Sequence, residues 1–130
     1  MKAYITCPCS HSQDKLNLLP IIKSVAENIG IEPSVFKIGG SPEEIFKRDY
    51  SQIKESDIII AEVSERSHGV GIEIGMSYCL GLKRILLINE NEYVTKLVQG
   101  MPDTTIIRYK DEVDLKIKLE STFYKLGCKK

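Results

Sequence analysis

At 130 residues, of which 42% are apolar and 28% charged, the chain is long enough for one domain with a real hydrophobic core and needs no disulfide or metal staple. Its 18 Lys and Arg balance 18 Asp and Glu, which excludes the strongly basic field of a sequence-independent nucleic-acid binder, and the closing Lys129 and Lys130 do not alter that. No run approaches the roughly 18 to 20 apolar residues of a membrane span, and MKAYIT enters strand-like sequence directly, so a cytoplasmic protein without membrane or nucleic-acid partners is expected.

Nothing repeats and no Pro/Gly/Ser linker divides the chain, so residues 1–130 are expected to form a single domain. The pattern predicts a strand over Lys2 to Thr6, a loop to about Gln13, a helix ending before Gly30 and a strand around Ser34 to Ile38. SPEE then opens a helix, with Ser41 as cap, Pro42 in the first turn and Glu44 closing the capping box. DIIIAEV, Asp57 to Val63, has the unbroken apolar centre of a strand buried on both faces. A helix over about Gly71 to Leu82 follows, with Gly81 in its C-terminal turn. RILLI is a further buried strand, YVTKLVQG a short helix, TTIIRY a fifth strand and Asp111 to Leu126 a last helix. Within that last segment VDLKIKLE alternates like a strand, whereas Leu115, Leu119, Phe123 and Leu126 keep helical spacing. Alternating strands and helices imply a three-layer α/β fold of flavodoxin or Rossmann type, its five-stranded parallel sheet in the order 2-1-3-4-5. Ligands of such sheets bind at the carboxyl ends of the strands, beside the switch point between the first and third. The loops 7–13 and 63–71 therefore matter most.

Four cysteines in this pattern read as free thiols of a reducing compartment. CPC lacks zinc spacing and only His11 and His68 could complete a site, so neither metal nor cofactor is expected.

One residue breaks the apolar helix. From Gly69 to Leu82 only Glu73 is charged, and Ile72, Ile74, Met76, Tyr78, Leu80 and Leu82 surround the helix, which is expected to be largely buried against the sheet or a partner. An acid near a helix N-terminus complements the dipole by roughly 0.3 to 1 kcal/mol, which accounts for the sign of the charge but not for its apolar setting. Gly69 and Gly71 leave room for a ligand, and the free first-turn amides are expected to keep Glu73 ionised as a nucleophile or cation stabiliser. Asp49 lies four residues from both Ile45 and Ile53, on the core-facing stripe of its helix, while Glu43, Lys47, Arg48 and Lys54 fall further out. Desolvation would let Asp49 hold a proton and act as donor. Glu62, at the end of the third strand, is a third inward acid.

The run RDYSQIKESDIIIAEVSERSHGVGIEIGMSYCLGLKRILLI, with AYIT at the start, resembles the nucleoside 2-deoxyribosyltransferase superfamily and most of all its 2'-deoxynucleoside 5'-phosphate N-hydrolase branch. The resemblance implies that Glu73, the acid of GVGxE, attacks the anomeric carbon. It also implies that Asp49 handles the leaving base or orients the sugar, and that Tyr4 is the active-site tyrosine. Transferases of the family place an acid beside the glycines to hold the sugar 5'-hydroxyl, whereas the monophosphate hydrolases have a serine, here Ser67. The physics agrees, since a hydroxyl with helix-terminal amides accommodates a phosphate that an acid would repel. Thr95 matches a hydroxyl residue that reaches the phosphate in a neighbouring subunit's site, which implies a homodimer with shared active sites. The sequence departs from the branch in its first loop, where CPCSHSQD replaces a Gly/Arg-rich stretch. Ser10, His11 and Ser12 remain as hydrogen-bond donors there, and His68 is a further candidate.

The implied reaction breaks the N-glycosidic bond of a nucleotide through a glycosyl-Glu73 ester, with net retention. Base exchange by a transferase and nucleotide sensing without turnover are the alternatives. Dinucleotide binding fits poorly, because GVGIEIG follows the third strand and carries its acid internally. A cysteine phosphatase built on Cys7 would need an arginine where Gln13 stands.

Overall fold

The computed structural model describes residues 1–128, and Lys129 and Lys130 lie outside the described residues. Five strands, β1 (Lys2–Thr6), β2 (Glu32–Val35), β3 (Ile58–Glu62), β4 (Lys83–Asn89) and β5 (Thr104–Tyr109), form one sheet in the order β2-β1-β3-β4-β5. Every adjacent pair is parallel. All five residues of β3 are buried, as its unbroken apolar run requires of a strand covered on both faces.

The helices are α1 (Leu19–Asn28), which follows a 3-10 turn at Asp14–Leu18, then α2 (Pro42–Lys54), α3 (His68–Cys79), α4 (Lys96–Gln99) and α5 (Glu112–Lys125). The SPEE signal forms a complete capping box: the Glu44 amide donates to Ser41 Oγ at 3.2 Å and the Ser41 amide to Glu44 Oε1 at 3.3 Å. In α5 the helical spacing prevails over the strand-like alternation. Leu115, Leu119 and Phe123 are buried against the face that also receives α1, while Val113 and Ile117 remain exposed.

Side-chain alternation along β1 assigns the two cores. Ala3 and Ile5 join the core under α1 and α5, whereas Tyr4 joins the opposite core with Ile59, Val70 and Ile74, under α3. Thr6, two residues beyond Tyr4, shares that face at the carboxyl end of the strand. This parity decides which β1 side chains can meet α3.

Two boundaries differ from expectation, and both shape the cleft. The second strand lies earlier than Ser34 to Ile38. Its last ladder bond is the Phe36 amide to Ile5 O at 3.0 Å, after which Gly39 and Gly40, at φ 100° and 113°, turn the chain away from the sheet. The helix expected from Gly71 begins three residues sooner, because Ser67 caps it by accepting from the Val70 amide at 3.3 Å. The same helix is not buried all round. Its inner face carries Val70, Glu73, Ile74 and Ser77, while Ile72 and Tyr78 are 59% and 52% exposed.

Candidate active site

Glu73 is buried on the inner face of α3, only 8% exposed, at the wall of a cleft of about 490 Å³. Both oxygens of its carboxylate are held by hydroxyls from β1. Tyr4 Oη donates to Oε2, and Thr6 Oγ1 donates to Oε1 at 3.0 Å. Burial raises the Glu73 carboxyl to about 7. The bonds from Tyr4 and Thr6 work in the opposite direction, and the neighbouring Asp49 adds a further upward push. The Tyr4 phenol is pushed well above its ordinary range, by burial first and by the Glu73 charge second, so it stays a neutral donor. The expected support from first-turn amides does not apply. Glu73 is six residues past the Ser67 cap, in the second turn, and the Val70 and Gly71 amides are taken by the Ser67 side chain and carbonyl. The hydroxyl pair acts in the direction expected of those amides, but burial outweighs it, so the carboxyl is not held in the ionised state as expected.

Asp49 lines the same cleft. Its stripe grades along α2 from core to cleft: Ile53 is fully buried, the Asp49 side chain is 18% exposed, and Ile45 is part of the cleft wall. Arg48 does not stand out in solvent as its spacing suggests. Its guanidinium turns back over the segment after β2, donating to Lys37 O at 2.7 Å and Gly39 O at 3.0 Å, with Nε 3.5 Å from Asp49 Oδ1. The bend that ended β2 early is thus pinned as a wall, and it brings Phe36, Lys37 and Ile38 to the cleft beside Phe46.

Of the sequence-predicted residues, Glu73, Asp49, Ser67, Gly69 and Ser10 come together in this cleft, with Tyr4 behind Glu73. Gly71 and Thr95 line a neighbouring cleft that shares Ser67 as its border. His11 and Ser12 line a third, with Glu65, Arg66, Glu92 and Tyr93, and His68 belongs to the second. The CPCSHSQD loop is therefore split: Cys7, Cys9 and Ser10 face the Glu73 cleft, and the following two residues face away. Sequence reasoning missed Thr6, Arg48 and the Phe36 to Ile38 wall. Thr6 had a signal, its i, i+2 relation to Tyr4. The wall had none, since it depends on where β2 stops.

Glu62 is buried for another purpose. Its carboxylate accepts from Tyr109 Oη, from the Ser64 amide at 2.7 Å and from Ser64 Oγ at 2.7 Å, and Ser64 Oγ in turn accepts from the Asn89 amide at 2.8 Å. Burial and this bond push the Tyr109 phenol upward. The network ties the loop leading to Ser67 onto β4 and β5, and Glu62 itself is absent from the Glu73 cleft. Cys7 lines the cleft but is 1% exposed, and burial pushes its thiol up to about 12, the reverse of a reactive thiolate. Among the described residues, no group of three or more His, Cys, Asp and Glu is arranged to hold a metal ion, and no helix is long and apolar enough to cross a membrane.

No known protein-family profile matches the chain. Among individual proteins, it is 28% identical over 134 residues to a Thermofilum pendens protein named 2'-deoxynucleoside 5'-phosphate N-hydrolase 1, spanning 93% of this chain and 94% of the relative. Among solved structures, it superposes on a CMP N-glycosidase of Clostridium botulinum with a TM-score of 0.74 and 29% identity, over 92% of this chain and 99% of that one. A 2-deoxyribosyltransferase of Bacillus psychrosaccharolyticus shares the fold, with a TM-score of 0.65 and 21% identity over 92% and 96% of the two chains.

Proposed function

We propose that the chain is a member of the nucleoside 2-deoxyribosyltransferase superfamily, which its similarity to an N-hydrolase and to a CMP N-glycosidase supports, and that it hydrolyses the N-glycosidic bond of nucleoside 5'-monophosphates, releasing free base and a sugar 5-phosphate. The observation that carries the reading is the buried Glu73 carboxylate, held at both oxygens by Tyr4 and Thr6 at the wall of a cleft that also contains Asp49.

The chemistry follows from where charge develops. As the bond from C1' to the base nitrogen breaks, positive charge grows on the sugar and negative charge on the base. Glu73 meets the first and forms a glycosyl ester, while Asp49 delivers a proton to the second. Water then attacks C1', returns its proton to Asp49 and frees Glu73, with net retention. Tyr4 keeps the nucleophile oriented. Ser67, with the free amides of His68 and Gly69 beside it, receives the phosphate at the N-terminus of α3, and Ser10, which lines the same cleft, adds a donor. The relatives' names cover a 2'-deoxynucleoside 5'-phosphate and CMP, so a nucleoside 5'-monophosphate is the substrate class common to both.

A homodimer completes this reading. Thr95 lines the neighbouring cleft, which supports its service to a second copy's phosphate rather than to its own. Gly71 and Gly75 sit inside α3, where glycine is unfavourable by about 1 kcal/mol relative to alanine. A Cβ at either would meet nothing within 4 Å, so packing within the chain does not call for them. Tyr78 on α3 and Leu97 on α4 are exposed beside these glycines, an apolar surface suited to a second copy. Four unpaired cysteines fit work in the reducing cytoplasm.

The test is release of free base, followed by chromatography, from ribo- and deoxyribonucleoside 5'-monophosphates and from unphosphorylated nucleosides with an acceptor base. Hydrolysis of monophosphates that is lost in Glu73→Ala supports the proposal. Base exchange points to a transferase, and tight nucleotide binding without turnover to a sensor; either outcome overturns it.

A further inference from the structure

Resting on the reading of Glu73 as nucleophile, we propose that Thr6 is a positioning residue that selects which carboxylate oxygen reacts: Oε1, held by Thr6, attacks the sugar, and Oε2, held by Tyr4, becomes the ester carbonyl.

The geometry separates the two oxygens. Thr6 forms part of the cleft wall, whereas Tyr4 is fully buried and does not line the cleft. The oxygen bonded to Thr6 is therefore the one on the cleft side. Two donors from one strand, two residues apart, also fix the plane of the carboxylate, because rotation about its terminal bond would break both hydrogen bonds at once.

The two hydroxyls then part company during the reaction. When the Oε1–C1' bond forms, the C1'–N pair leaves on the base nitrogen, which takes the Asp49 proton. Oε1 becomes an ester oxygen and a poor acceptor, while Oε2 becomes a carbonyl and keeps its bond from Tyr4. When water adds to C1' and the Oε1–C1' pair returns to Glu73, negative charge reappears on Oε1, where Thr6 donates again. Thr6 thus assists the departure of Glu73 in the second step more than its attack in the first. The groups around Glu73 that bear on its charge are Tyr4 on β1, Cys7 just beyond β1 and Asp49 on α2, with Arg48 felt at Tyr4. Tyr4 and Cys7 are both pushed upward by burial, so they stay neutral.

The experiment compares Thr6→Val, which keeps the shape and removes the donor, with Thr6→Ser, which restores the donor, using CMP and deoxynucleoside 5'-monophosphates. In Thr6→Val the ester should accumulate. A burst of free base equal to the enzyme concentration precedes a steady rate about tenfold lower, with kcat and KM falling together. The acid limb of kcat/KM moves up by about one pH unit, because the ionised carboxylate has lost a donor. Thr6→Ser returns both readouts towards wild type. If Thr6→Val does not fold, Thr6→Ala, which only removes atoms, carries the same expectation. A wild-type protein that releases no base defeats the proposed function itself. Base release that depends on Glu73, with Thr6→Val and Thr6→Ala showing neither a burst nor a displaced acid limb, overturns the role of Thr6 alone.

Discussion

Replacing Glu73 with Gln should make the folded protein more stable above neutrality while ending base release. In the fold the carboxyl keeps its proton up to about 7, against an ordinary 4.5. Below 4.5 both folded and unfolded chains are protonated, and the buried acid carries no penalty. As the pH rises from 4.5, the unfolded chain ionises first and the native state loses stability, until above 7 the full penalty is present. The gap between 4.5 and about 7, at about 1.4 kcal/mol per pH unit, corresponds to about 3 kcal/mol. A glutamine still accepts one hydroxyl bond but turns its amide nitrogen to the second hydroxyl, which returns about 1 kcal/mol of that gain. The net expectation for Glu73→Gln is about 2 kcal/mol of added stability at pH 8.5, or roughly 6–10 °C in Tm for a domain of this size. At pH 5 the two effects nearly cancel. Urea unfolding of both proteins at the two pH values, under reducing conditions, measures the difference. A stability difference that does not change between pH 5 and pH 8.5, or that favours the wild type at the higher pH, refutes the claim that burial dominates at Glu73.

Arg48→Ala removes the bonds to Lys37 O and Gly39 O and should loosen the cleft wall. Steady-state kinetics should show KM rising about tenfold with a smaller change in kcat, alongside a loss of about 1–2 kcal/mol of stability. Iodoacetamide applied to the native protein should leave Cys7 unmodified, as read by peptide mass, because its thiol is buried and pushed up to about 12. Full labelling should appear only after unfolding, and native Cys7 alkylation at the rate of an exposed thiol would contradict that burial.

Much of the fold was legible because its signals are local. The triple isoleucine of β3 and the SPEE box of α2 each need only a few consecutive residues, and the alternation of strand-like and helix-like segments implies a parallel sheet, for which five strands suit the observed order. Glu73 stood out for the same reason, as one charge in an apolar helix. Boundaries were less legible. The segment after β2 is held by Arg48, nine and eleven residues away from the carbonyls it takes, and the start of α3 depends on Ser67 acting as a cap rather than as loop.

What the sequence alone determined was the inventory: a doubly covered parallel sheet, an acid set into α3 and a second acid on the inward stripe of α2. Only the tertiary structure decided how that inventory is divided. Tyr4 and Thr6 reach Glu73 across 69 and 67 residues of chain, Arg48 folds back onto the wall, and His11, Ser12, Gly71 and Thr95 are turned to other clefts. Periodicity reports which face of an element is apolar, whereas the state of a carboxylate is set by the burial and donors that other elements bring to it, and those follow from strand register and helix packing.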